Sequence, residues 1–115
     1  MIKKQIYNCG FELTLELVGG KWKGLILWKL HEKEILRYGE LSREIEGITQ
    51  KMLTQQLKEM EENNLIIRTV YSQIPPKVEY SLSDYGKELS DIFIAMKDWG
   101  VRYAQDNSIE VLCKL

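Results

Sequence analysis

Little in this chain can hold a metal or build a covalent catalyst. Its 115 residues contain two cysteines, Cys9 and Cys113, and a single histidine, His31. No Cys-x-x-Cys spacing occurs, so no standard zinc site can be assembled. One histidine leaves little for a histidine-based catalytic site, and no phosphate loop or nucleophile motif is present. The expectation is a chain that is not an enzyme and needs no cofactor. Prolines are equally scarce, and both, Pro75 and Pro76, fall in one short stretch. No apolar run approaches the ~20 residues of a membrane span. Lys3 and Lys4 give the start a superficial likeness to a signal peptide, but Glu12 and Glu16 interrupt any apolar region behind them. A cytoplasmic location is therefore expected. Charge of one sign is lacking too: 16 Lys and Arg face 17 Asp and Glu, for a net charge of −1. No global basic field advertises nucleic acid. The length fits one domain that buries roughly two-thirds of its unfolded surface.

What the chain does have is a local pattern between Ile48 and Leu82. Thr49 is suited to cap a helix, because its hydroxyl can accept an orphan backbone N–H. Ile48 just before it can staple against Leu53. Leu53, Leu57 and Met60 recur at steps of four and three and so share one face. At about 100° per residue, Lys51, Thr54, Gln55 and Lys58 fall on the other. No acid occurs from Thr49 to Lys58, nor from Asn63 to Val78. Such a face is either a solvated surface or a reader of the major groove. Gln can pair bidentately with adenine, Thr can touch a thymine methyl, and Lys can take guanine or phosphate.

The context favours the reader. Asn63-Asn64 can end the helix, since Asn tolerates the left-handed conformation. Leu65 to Tyr71 is β-rich, and Val78 to Leu82 alternates apolar and polar. The prolines stiffen the link between them, having no N–H to donate to a ladder. A helix followed by a stiff hairpin is a winged helix-turn-helix. The helix would enter the major groove, and Lys77 would act on DNA from the wing.

The runs Gly-Gly-Lys-Trp-Lys at 19–23, Arg-Tyr-Gly-Glu-Leu at 37–41, Ile48 through Glu61, and Pro-Pro-Lys-Val-Glu-Tyr-Ser-Leu-Ser at 75–83 resemble the HxlR-type winged helix-turn-helix regulators. These are a bacterial group akin to the MarR-type regulators. The resemblance runs from Cys9 to about Gly100 and rests on four motifs in the right order. It implies a homodimeric transcriptional regulator that binds double-stranded DNA, with a small-molecule or oxidant effector left unspecified. Several members of the group sense thiol chemistry through a cysteine at the position of Cys9, usually followed by proline. Here Gly10 follows. Cys9 is thus a candidate redox sensor, since a helix N-terminus lowers a thiol pKa. The other reading is a small buried hydrophobe. No role is expected for Cys113.

The remaining elements follow in order. Phe11 to Val18 reads as a short helix with Phe11, Leu15 and Val18 on one face, broken by Gly19-Gly20. Lys21 to Lys33 is apolar nearly all round and is the expected centre of the core. Trp22 and Trp28 either pack there or line an effector pocket. His31, near this helix's end, is expected at the surface. Ile35 to Tyr38 can add a third strand. Gly39 to Ile45 opens the helix-turn-helix, and Gly47 supplies its tight turn. Arg37 and Arg43 flank this element and either hold phosphates or pair with Glu40, Glu44 and Glu46.

Ser83 should cap a long last helix. Leu89, Ile92, Met96, Trp99 and Tyr103 recur on it at a/d-like spacing, with Phe93 beside them. The stripe packs on the chain's own core or, as preferred here, forms a dimer seam. A two-fold dimer would place two recognition helices about one helical turn apart on a palindromic site.

The expectation is thus a mainly α fold with a small β-hairpin wing, of α+β type, dimeric through its terminal helices. It is one domain over 1–115, with a recognition helix at about 49–63, a wing at about 65–82 and a dimerisation helix at about 83–106. The DNA-binding residues would be Thr49, Gln50, Lys51, Thr54, Gln55, Lys58, Lys77, Arg43 and Arg37. The dimer interface would be Leu89, Ile92, Phe93, Met96, Trp99 and Tyr103. The alternative function is a winged-helix module that binds protein rather than DNA.

Overall fold

Three side chains at the middle of one helix anchor the core. In the computed structural model, which describes residues 5–112, Ile26, Leu27 and Leu30 of α2 (Lys23–Lys33) are fully buried. They pack with Leu41 and Ile45 from around α3 (Tyr38–Glu44) and with Leu53, Leu57 and Met60 of α4 (Gln50–Glu62). Trp22 and Trp28 lie half-buried against this cluster, and His31 packs at a tilt on Trp28 with ring centroids 5.1 Å apart. His31 is therefore partly covered, not a plain surface residue.

The preceding helix, α1 (Gly10–Val18), buries no side chain. It ends where the Gly19 N–H donates to the Leu15 carbonyl at 2.7 Å and Gly20 turns to φ +86°. Phe11 and Leu15 on it are exposed.

Strong end signals fix the helix-turn-helix. The Arg37 N–H donates to Glu40 Oε1 at 2.8 Å, so α3 starts at Tyr38, one residue earlier than its periodicity predicts. That start limits β1 to Ile35–Leu36, because Arg37 must leave the strand to cap the helix. Gly47 makes the tight turn at φ +86° between buried Ile45 and Ile48. Thr49 Oγ1 then accepts the Met52 N–H at 3.1 Å. At the far end Asn64 sits at φ +59°. The Asn64 N–H reaches the Glu61 carbonyl and the Leu65 N–H the Met60 carbonyl. This is a Schellman motif, closed by buried Met60 and Leu65.

The wing is the antiparallel pair β2 (Ile66–Tyr71) and β3 (Lys77–Leu82), and the sheet order is β1-β3-β2. Its base is buried through Ile66, Tyr80 and Leu82, while further out Lys77, Val78 and Glu79 of β3 are half-buried and Val70 and Tyr71 of β2 are exposed. Ser83, buried, welds the wing exit to the recognition helix: its hydroxyl donates to the Asn64 carbonyl at 2.7 Å and accepts the Gly86 N–H at 3.1 Å.

The long terminal helix is in fact two. α5 (Asp84–Glu88) stops at a tightened turn where the Leu89 N–H bonds the Gly86 and Lys87 carbonyls. α6 (Ser90–Asp106) then runs on. The break follows from the clamp at Ser83 and Gly86: α5 must hug the Leu65 carbonyl, whereas α6 must lie on α2, and one straight axis cannot do both. Phe93 and Leu89 turn towards the chain's own core, and Ile92, Met96, Trp99 and Tyr103 remain exposed. The expected stripe is therefore split between two faces. No helix among the described residues is long and apolar enough to cross a membrane.

Candidate nucleic-acid interface

Because Leu53, Leu57 and Met60 face inward, α4 must turn its other side out. Thr49, Gln50, Lys51, Thr54, Gln55 and Lys58 are all exposed on it. Lys51 and Lys58 have no ion pair among the described residues. Thr49 spends a lone pair on its cap but keeps its proton to donate.

Tyr38 orders this face from below. Its hydroxyl donates to the Gln50 carbonyl at 3.0 Å and lies 2.9 Å from Thr54 Oγ1. The sequence pattern places Tyr38 at the end of a strand and says nothing of this role. No local signal could reveal it, since the contact joins two helices across a turn.

Gln55 and Glu59 connect the face to the core helix. Lys23 Nζ is 2.9 Å from Glu59 Oε2. The hydrogen bond from Lys23 holds the Glu59 carboxyl below its ordinary range, despite opposing burial, with further help from the Lys23 charge and a bond from the Gln55 side chain.

The wing departs from expectation in its chemistry. Its tip, 72–76, is uncharged, and Ile74 there is fully exposed. Lys77 is the first residue of β3, directly opposite Tyr71, and folds back. Its Nζ sits 4.9 Å over the Tyr71 ring and 3.2 Å from Glu79. Burial would raise the Glu79 carboxyl, but hydrogen bonds from Tyr71 and Lys77 and the nearby charges of Lys77 and Arg37 outweigh it and hold the group low. The same contact, led by the hydrogen bond to Glu79, raises the Tyr71 phenol. Arg37 and Arg43 are exposed beside α3, and neither pairs with an acid at salt-bridge distance among the described residues. Glu44 is held instead by Lys29 at 3.9 Å, and Glu40 by its cap. Arg68, exposed on β2, is a further wing cation that strand alternation alone does not single out.

Cys9 is exposed at the N-cap of α1 and makes no side-chain cap bond. Its backbone is extended there, so the thiol precedes the helix as its position predicts. Cys113 lies outside the described residues. No cluster of three or more metal-binding side chains occurs among the described residues.

A helix-turn-helix whose second helix leads into a hairpin defines the winged helix-turn-helix class. The family model described as HxlR-like helix-turn-helix matches residues 17–108. The chain belongs to the HxlR family. A Fusobacterium mortiferum protein named as the regulatory protein MalR is 54% identical over 98 residues, covering 85% of this chain and 92% of its own. YtcD of Bacillus subtilis (strain 168), an uncharacterised HTH-type transcriptional regulator, is 50% identical over 103 residues, 89% of this chain and 80% of its own. A crystal structure of YtcD superposes with a TM-score of 0.79 at 48% identity, over 84% of this chain and 98% of that one. The redox regulator HypR in its reduced form gives 0.78 at 43% identity, over 85% and 95%. The chain is a transcriptional regulator with a helix-turn-helix fold, and its relatives are regulators rather than enzymes.

Proposed function

We propose that the chain binds double-stranded DNA sequence-specifically, as a cytoplasmic homodimer on a palindromic operator. The single observation that carries this reading is the exposed, acid-free face of α4 with two lysines that pair with no acid among the described residues. Gln50, Thr54 and Gln55 would read bases, while Thr49, Lys51 and Lys58 would position on phosphate or guanine. Arg37, Arg43 and Lys77 would add phosphate contacts from the flanks. The body's charge of −1 does not oppose this, because only the local field at the groove matters within a Debye length of about 10 Å.

The dimer reading rests on uncovered apolar surface at both termini. Phe11 and Leu15 of α1 and Ile92, Met96, Trp99 and Tyr103 of α6 are exposed, with Trp99 and Tyr103 stacked at 5.2 Å. Exposed apolar side chains in such number on the terminal helices of a small domain need a partner. Leu89 and Phe93 would support the seam from beneath. The whole chain, 1–115, acts as one domain.

Selection of bound sites from random DNA, read against salt, tests the proposal. The expected result is an inverted repeat with half-sites about 10 base pairs apart and a steep salt slope. No enriched motif would defeat it and promote the protein-binding module in its place.

A redox trigger at Cys9 is a second reading. It is favoured by the exposed thiol at a helix N-terminus and by the similarity to HypR, which bears the name of a redox regulator. Diamide should release operator DNA from the wild type but not from Cys9→Ser. Release that survives the substitution removes Cys9 from the mechanism.

A further inference from the structure

An antiparallel sheet with one face on the core ordinarily turns polar side chains outward on the other. At its base this sheet departs from that pattern, although Thr69, Glu79 and Lys77 keep the outer half of the same face polar. Leu36 and Tyr80 point into the core, and the next residues along each strand must face away. Those are Ile35, Ser81 and Ile67, side by side across three strands, since Ser81 is the register partner of both isoleucines. Ile35 and Ile67 are 53% and 47% exposed. They form the apolar floor of an open cavity of about 540 Å³, walled by Leu30 and His31 at the end of α2 and by Lys87 and Ser90 at the joint of α5 and α6. That volume is of the size that holds small organic ligands.

Of the polar groups around this floor, His31 packs on Trp28 and the other four are uncommitted. Lys87 and Glu34 have no ion pair among the described residues, and the hydroxyls of Ser81 and Ser90 make no hydrogen bond there. One ammonium, the His31 ring and two hydroxyls thus surround an apolar floor, with a single carboxylate on the rim. A ligand must offer an anionic group to Lys87 and an apolar body to Ile35 and Ile67. Glu34 repels a second anion and accepts from a hydroxyl.

We propose that this cavity, between the outer face of the wing sheet and the α5–α6 joint, binds a small apolar monocarboxylate that also carries a hydroxyl. The site stays open in a dimer built on α6. Ser90 precedes Trp99 by nine residues, about two and a half turns, so it lies on the opposite side of the helix from the exposed stripe. A ligand there touches the wing sheet and the terminal helix together. It would therefore couple ligand to wing position, a consequence that rests on the DNA-binding reading. Binding itself does not.

The test is amide-resolved NMR titration of the full chain with 4-hydroxybenzoate, its neutral isostere 4-hydroxybenzamide, and tyramine. The carboxylate should shift the amides of Ile67, Ser81, Lys87 and Ser90 at millimolar concentration. The amide and the amine should bind at least about fivefold more weakly. Lys87→Gln should lose about tenfold, and Ser81→Trp, which fills the floor, should abolish the shifts. Should one variant misfold, the other still decides. Equal shifts with 4-hydroxybenzamide, shifts centred instead on a second open cavity that Leu13 of α1 and Tyr85 of α5 line, or no shift at all would overturn the proposal. Operator retention is measured in parallel: a ligand that binds without releasing DNA overturns the coupling, and a chain that binds no DNA without ligand overturns the reader.

Discussion

Tyr38 and Thr54, 2.9 Å apart between their hydroxyl oxygens, decide how the recognition face can bond outward. Only Tyr38 can donate to the Gln50 carbonyl, so its single proton is committed there. Thr54 must then donate to Tyr38. The Thr54 hydroxyl is then left with acceptor lone pairs alone, which suit a base amino group. Tyr38→Phe should cost about 1 kcal/mol of stability, measured by urea unfolding. It should also relax the base preference at one operator position, because the Thr54 proton becomes free. An unchanged set of selected sites would show that Thr54 does not read a base.

Glu79 restrains Lys77 in the free protein, and removing it should strengthen DNA binding. With Glu79→Gln the wing loses an acid and Lys77 loses its 3.2 Å partner. Affinity should rise a few-fold on all sequences, and the salt slope should steepen by up to about one phosphate equivalent. Lys77→Ala should do the reverse, again uniformly. If either change altered sequence preference, Lys77 would be a base reader and not a phosphate contact. Filter binding across salt concentrations separates these outcomes.

Acid should loosen the tie between α2 and α4. The Glu59 carboxyl is held below its ordinary value of 4.5, chiefly by the Lys23 hydrogen bond. A lowered folded-state value means that the stabilisation is complete above the ordinary range and disappears as pH falls through the lower folded value. Folding stability should therefore decline on acidification below about pH 5. Glu59→Gln should flatten part of that decline and cost roughly 0.2–1 kcal/mol near neutrality, since the pair is only partly covered. Urea midpoints against pH for both chains check this. Parallel curves would mean that the pair contributes nothing.

Gly86 tests the clamp that divides the terminal helix. A Cβ added there would collide with the Leu65 carbonyl and lie 3.1 Å and 3.2 Å from Leu82 side-chain carbons. The carbonyl belongs to the hydrogen-bonded junction with Ser83 and cannot easily yield. Gly86→Ala should therefore destabilise by about 1–3 kcal/mol, opposite to the usual gain of Ala over Gly in a helix. Thermal unfolding decides it, and a stabilised variant would show that the close approach relaxes without cost.

Much of the fold was open to reading along the chain, because its signals are local. The Thr49 cap, the Asn64 stop, Gly47 in the turn and the 53-57-60 stripe each act within a few residues, and all appear in place. Gly-Gly punctuation and strand alternation located α1, α2 and the wing for the same reason. The sequence by itself thus determined the order of elements, the family, and which face of α4 is polar. Only the tertiary structure decided how these faces are used. It placed Tyr38 under Thr54, folded Lys77 onto Glu79 and left an apolar wing tip at Ile74. It split α5 from α6 at Leu89 and drew Phe93 inward. Each of these depends on the distance between groups far apart in the chain, which packing sets and periodicity does not encode.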